Sequence, residues 1–483
     1  MRTIPICPPL FVFVLSLLVP GFARSAPLAP VGFVEYSPAP QCVDAQRSAA
    51  IAEQLRAAGT LSSAPRFNGA ALFPLYDWPL EHGLRDGNIL VNYVDDDPTA
   101  AIKDYQGLPH AYDGHNGTDI ALYNFRLMDR GQRVVSGASG VVTQTTWNKF
   151  DRNTGPPYSD TENNVIVQNP DGTYTWYLHL RRNSVTVEPG ELVTSGTVLG
   201  LVGSSGFSTD AHLHFEVGDF FGGPWTKRDP WNGPNNPASS LWNSQLPYVG
   251  TDPLWIADIG VSTAAAAGGN LNSVPAAYFK ERLSQPAVMG ANETFLPVFL
   301  QLQGNAGNSY RIEVRRPNGT VYSFVNYTLP SKLSYGWHLW YWGWNGGVPA
   351  GDYGLWSTVV KIGTVEVART EFQVGPTTIF GPRFAPIGGR SLRINGSVQL
   401  DALSVSPLGG PVTYSLVGAP SFVTLAGSDV TIGAVSNQPQ RSLYFQAIAT
   451  DADGRTDTMW YHLVDPTKSI DAVPVELSKF EVN

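Results

Sequence analysis

Apolar and polar positions alternate with a period of two over much of the chain from Asn88 onward. Strand-sized runs at Val134-Val135, Gly140-Val141-Val142, Asn164 to Val167, Tyr174 to Leu180 and Leu192-Val193 are separated by Gly, Pro, Asn or Asp. This is the punctuation of short β-strands joined by turns. Upstream, Asp44 to Ala58 reads differently: it is alanine-rich, with Ala50, Ile51 and Leu55 at helical spacing and Gly59 placed to stop it, which predicts a short helix. Between Tyr174 and Arg181, strict alternation puts Trp176, Leu178 and Leu180 on one face and Tyr177 and His179 on the other, so His179 is expected to leave the core side. In GSSGFSTDAHLHFEV, residues 203–217, His212 and His214 alternate with Leu213, Phe215 and Val217. A strand there would present two imidazoles side by side.

Downstream, residues 219–275 are rich in Gly, Pro, Trp and Asn and then in Ala and Gly, the composition of a surface-hugging extension followed by a linker, here set at 233–275. Residues 276–376 hold alternating runs such as Tyr310 to Val314 and Leu355 to Val360, with an Asn318-Gly319 turn that could close a hairpin. One β-sandwich is expected there. A second, over residues 377–467, is suggested by Val412 to Leu416, Val430 to Ile432 and Leu443 to Thr450 before Asp451-Ala452-Asp453-Gly454, and it weakly resembles immunoglobulin- or cadherin-like repeats. A tail occupies 468–483. Trp337, Trp340, Trp342 and Trp344 crowd one segment on both strand faces. Such aromatics could stack on sugar rings, but a buried sandwich strand is the expected role.

Length suggests about three domains of roughly 150 residues each. Arg2, an apolar run from Leu10 to Val19 and Ala23-Arg24-Ser25 form a secretory signal over residues 1–25, too short to span a membrane. No stable membrane insertion is expected once it is cleaved. Residues 26–84 then read as an N-terminal leader or pro-segment carrying the short helix, which either packs on the following domain or covers its active site until removed. Cys7 lies in the signal, leaving Cys42 alone, so no intrachain disulfide is expected. A net charge of −9 and the lack of a basic face argue against nucleic acid as a partner.

The candidate chemistry is histidine-based. With eight histidines in the chain, a chance His-x-His arises in roughly one such protein in eight, so the pair alone is weak. It gains weight from His115-Asn116-Gly117-Thr118-Asp119 and from His179 on a third segment. Gly117 makes a loop entering a strand the expected setting for His115 and Asp119. Neutral imidazoles and a carboxylate suit zinc, and catalytic zinc sites take three protein ligands and leave a position to water.

The ordered trio of HNGTD, YLHL and GSSGFSTDAHLHFEV resembles the lysostaphin-type zinc metallopeptidases over residues 85–232. The resemblance implies a mainly β fold, a duplicated hybrid motif or barrel-sandwich, here followed by the two sandwich domains. It implies one zinc ion held by His115, Asp119 and His214, with His179 and His212 doing the acid-base and electrostatic work. No HExxH motif occurs, so an imidazole must replace the usual glutamate base. Asp113 and Asp210 are candidates for orienting a ligand imidazole. The implied function is that of a secreted endopeptidase, extracellular or periplasmic and associated with the cell wall. It would hydrolyse stem-peptide or cross-bridge bonds of peptidoglycan, with the C-terminal domains in contact with glycan. The alternatives are a non-catalytic wall-binding regulator on the same fold and a zinc endopeptidase acting on glycine-rich secreted proteins.

Overall fold

The structure is a computed structural model. It describes residues 30–36, 43, 45–57, 75–155, 158, 161–221, 223–262, 280, 286–291, 293, 295–343, 348, 350–376, 379–384, 391–393, 397–399, 402–405, 412–433, 442–452 and 454–464. The expected signal, both cysteines and Trp344 lie outside these residues. Elements in chain order are β1 (Pro30–Tyr36), α1 (Ala45–Ala57), β2 (Asn88–Asn92), β3 (Thr118–Leu122), α2 (Phe125–Arg130), β4 (Arg133–Val135), β5 (Gly140–Thr146), β6 (Asn164–Gln168), β7 (Tyr174–Leu178), β8 (Leu192–Val193), β9 (Val198–Leu201), β10 (His212–Asp219), β11 (Thr226–Lys227), β12 (Trp255–Val261), β13 (Pro286–Gly290), β14 (Phe295–Gly304), β15 (Ser309–Arg315), β16 (Val321–Thr328), β17 (Leu333–Gly343), β18 (Gly354–Ile362) and β19 (Val365–Gly375). They fall into two bodies, Ala39–Gly250 with Gly381–Asn483, and Met1–Pro38 with Thr251–Phe380.

In the first body, strands run in the order β2-β3-β10-β7-β6-β5-β8, with β11 added to β10, and every pair is antiparallel. The alternation in β10 sets the two faces of this sheet. Leu213, Phe215 and Val217 are buried in the main core with Ile120, Val165, Val167, Tyr177, Trp231 and Trp242. Each such side chain contributes about 1.5–3 kcal/mol on burial. His212, His214 and Glu216 therefore take the opposite face. Register places Asp119 and Leu178 on either side of His214, and Trp176 opposite Glu216.

The assignment of faces in β7 has to be corrected. Tyr177, not Trp176, lies in the main core, so strict alternation would have buried His179 there as well. Instead β7 ends at Leu178, and His179 has a φ of 64°. That left-handed residue breaks the period of two and swings its ring onto the face of His212 and His214.

The helical reading of α1 holds, and the helix packs on this second face. Val43, Ile51 and Ala52 cluster with Ile166, Tyr174, Trp176 and Leu178. Arg47 is paired with Glu162 at 2.7 Å, and the carbonyl of Val43 accepts from the Tyr112 hydroxyl at 3.3 Å. Farther along the chain, residues 412–464 contain antiparallel pairings between Thr413–Val417, Ser442–Thr450 and Thr456–Val464. A small core is built there from Val423, Val430, Ile432, Phe445, Ala447 and Ala449.

The second body is a sandwich. One sheet has the order β1-β17-β14-β12, and the other contains β16-β15-β18-β19-β13. Their shared core includes Leu300, Trp340, Trp342, Ile312, Val314, Trp356 and Val360. Trp337, Trp340 and Trp342 are buried, which gives them the structural role rather than a sugar-stacking one. The Asn318-Gly319 turn closes the β15–β16 hairpin, with Gly319 at φ 80° and Asn318 accepting from the Thr320 amide.

Two expected boundaries shift. Strand β12 lies in the stretch read as linker and pairs with β14. Strand β1 lies in the stretch read as leader and pairs with β17 from Pro30↔Trp342 to Tyr36↔Trp337. Residues 26–84 are thus not one structural unit. Phe33 sits 4.4 Å from the ring of Trp340 and 4.9 Å from that of Tyr327. Phe33→Ala is expected to destabilise the sandwich by about 2 kcal/mol, read as a lower melting midpoint for that body. An unchanged midpoint would mean that β1 adds no stability.

Candidate metal centre

Three atoms converge on the polar face of the sheet. His115 Nε2 lies 3.3 Å from His214 Nδ1 and 3.2 Å from Asp119 Oδ1, and His214 Nδ1 is 3.0 Å from the same oxygen. All three residues are buried. Their protonation is set from behind. His115 Nδ1 donates to the Tyr93 carbonyl at 2.6 Å, and His214 Nε2 donates to Glu216 Oε2 at 3.1 Å. In neutral imidazoles this leaves lone pairs on the two nitrogens that face Asp119. Asn92, paired with Asp119 across β2 and β3, donates to its other oxygen at 2.9 Å and leaves Oδ1 to the cluster.

Two imidazole lone pairs and a carboxylate oxygen pointing at one another call for a cation. The spacing fits one: ligands about 2.0–2.1 Å from a tetrahedral ion lie about 3.3–3.4 Å apart along each edge, close to the distances seen here. In the metal-free chain a proton can take the place of the cation: burial raises the Asp119 carboxyl, but the charge and hydrogen bond of a protonated His115, with a hydrogen bond from His214, outweigh it and hold it well below the usual carboxylate range. It is anionic at neutral pH.

His179 and His212 stand beside this group. Their rings are 4.5 Å apart, and His212 Nε2 is 3.8 Å from Asp119 Oδ1. Each is oriented by a backbone carbonyl. His179 Nδ1 donates to Ser205 O at 2.7 Å, and His212 Nδ1 donates to Asp210 O at 2.8 Å. In the neutral rings Nε2 is therefore the basic nitrogen. The serines of the 203–208 loop build it rather than act as nucleophiles. Ser204 donates to the Asn153 carbonyl, and Ser205 donates to the Leu180 carbonyl.

All five histidine and aspartate positions read from the sequence come together. The two carboxylates expected behind them do not serve as anticipated. Asp113 is exposed, and Asp210 orients His212 through its main chain, its carboxylate accepting from Thr209. The carboxylate behind His214 is Glu216, which continues the period of two from His212 and His214. Of the remaining histidines, His82 pairs with Asp86 on the surface, His110 is buried against Tyr93, and His338 is buried between Tyr310 and Glu35.

The loop before β3 is pressed onto the cluster. A Cβ at Gly117 would lie 2.6 Å from the His214 ring and 2.8 Å from the Phe215 carbonyl, inside any tolerable contact. Gly117→Ala is expected to displace the His214 ring and weaken metal binding at least tenfold, measured by chelator competition. Parent-like affinity would mean that the loop can yield. A cleft of about 680 Å³, whose lining includes none of the five site residues, is bounded by Asp113, Gly114 and Asn116 of that loop, by Glu53 and Arg56 of α1, and by Trp225.

Residues 113–225 match Peptidase family M23. Over 103 residues, 21% of this chain, it is 37% identical to the peptidoglycan DD-endopeptidase ShyA of Vibrio cholerae serotype O1, covering 20% of that protein. It is 30% identical over 103 residues to lysostaphin of Staphylococcus simulans, covering 17%. It is 29% identical over 103 residues to the glycyl-glycine endopeptidase ALE-1 of Staphylococcus capitis, covering 24%. The match thus spans about a fifth of the length of these relatives. The matched region contains His115, Asp119, His179, His212 and His214, and the domain that carries this buried cluster belongs to peptidase family M23.

Proposed function

We propose that the domain is a zinc metalloendopeptidase, secreted, that hydrolyses peptide bonds of bacterial peptidoglycan. The carrying observation is the set of three lone-pair atoms at tetrahedral-edge spacing, flanked by two imidazoles that do not complete the set. His115, Asp119 and His214 would hold the ion, which when bound supplies Lewis acidity toward a water and the scissile carbonyl. His179 and His212 present basic Nε2 atoms to the same spot. One ring accepts the proton of the attacking water and then returns it to the leaving amine. The other, when protonated, faces the developing oxyanion as a donor. The substrate class is supported by the names of the relatives, and secretion by the N-terminal charged and apolar pattern. Among the described residues, no helix is long and apolar enough to cross a membrane. The C-terminal β regions are the proposed glycan contact.

Helix α1 lies on the face that carries the cluster, so the same reading makes it a cover over part of the substrate path. Metal analysis with a turbidity assay on purified peptidoglycan tests the function. Bound zinc with clearing is expected. Bound metal without hydrolysis of any peptide would instead favour a non-catalytic wall-binding protein. Cleavage of glycine-rich proteins without clearing would move the substrate class, and mass spectrometry of wall fragments would identify the bond cut.

A further inference from the structure

We infer that Glu216 is a positioning residue for the metal centre, fixing which nitrogen of His214 faces the ion; this rests on the zinc reading above. Glu216 is fully buried, yet each of its oxygens is met by a donor. Oε2 accepts from His214 Nε2 at 3.1 Å and from Ser48 Oγ of α1 at 3.0 Å. Oε1 accepts from Trp225 Nε1 at 2.6 Å. Trp225 is in turn stacked on Trp176 at 4.1 Å and 17°, so the carboxylate is held in a rigid frame. A buried anion without such partners would be costly. With them, it draws the His214 proton to Nε2 and leaves Nδ1 as the lone-pair nitrogen toward Asp119 and His115. Carboxylates behind metal-bound imidazoles act in this way, and losing one typically weakens metal affinity 10–100-fold.

All three partners are donors, so glutamine is the informative replacement. It has nearly the same shape, but its amide group must confront an N–H or O–H with hydrogens of its own. In the full chain, Glu216→Gln is expected to weaken zinc affinity about 10–100-fold in chelator competition, with an unchanged circular dichroism spectrum. Ser48→Ala and Trp225→Phe each remove a different partner of Glu216 and are expected to stay within about threefold of the parent. If those two variants reproduce the whole loss, Glu216 acts only as a packing anchor and the inference fails. It also fails if folded Glu216→Gln binds zinc like the parent. A parent that binds no zinc would instead overturn the zinc reading itself. Should Glu216→Gln not fold, long-range ¹⁵N–¹H correlation on the zinc-loaded parent decides. A His214 proton on Nε2 is expected, and a proton on Nδ1 overturns the inference.

Discussion

Asp119→Ala and His214→Ala are each expected to lose stoichiometric zinc and essentially all hydrolysis, whereas His179→Ala and His212→Ala keep about one zinc per chain and lose about 10²–10⁴-fold in kcat/KM. The division follows from position. Asp119 Oδ1 and His214 Nδ1 are two corners of a triangle with 3.0–3.3 Å edges, and two remaining donors do not hold an ion as three do. Loss of Asp119 also removes the anion that makes a buried pocket of imidazoles attractive to a cation. His179 and His212 stand outside that triangle, each fixed by a carbonyl behind it, so truncating either removes a proton acceptor and leaves the donors in place. Metal content by plasma mass spectrometry, alongside cleavage of a soluble peptide, separates the two classes. Stoichiometric zinc in Asp119→Ala would strike that residue from the ligand set.

Ile51→Asp is expected to raise hydrolysis of peptidoglycan at least tenfold by releasing α1. Ile51 is fully buried, in a cluster with Trp176 and Leu178, the residues that neighbour Glu216 and His214 across the β7–β10 register. A carboxylate forced into that contact would cost several kcal/mol. A tenfold change in the open population needs only about 1.4 kcal/mol. Ser48→Ala combined with Arg47→Ala, which removes two polar tethers to Glu216 and Glu162, should give a smaller rise in the same direction. The gain should be larger on intact wall than on a short peptide, because a bulky substrate needs more of the covered face. Equal rates for parent and folded variants would make α1 a fixed part of the domain rather than a cover.

Much of the site was legible in the sequence because a strand has only two faces. His212 and His214, two residues apart, had to project together, and Gly117 pointed to a loop bringing His115 to the start of β3. The same rule inverted the faces of Trp176 and Tyr177, and His179 leaves the core side only through a left-handed backbone that no alternation predicts. Glu216 extended the period that set the two histidines on one face, but its partners Ser48 and Trp225 are 168 and 9 residues away, and that convergence has no local signal. Strand β1 shows the same limit. Its pairing with β17 joins residues some 300 positions apart, so composition alone grouped it with the helix that follows.

Zinc-edge anomalous diffraction from crystals of the zinc-loaded full chain would show where the ion sits and which atoms hold it. One ion is expected, bound by His115 Nε2, Asp119 Oδ1 and His214 Nδ1 at about 2.0–2.2 Å, with a position open toward His179 and His212. An ion closed in by four protein donors, or one held by His179 or His212, would contradict that ligand set.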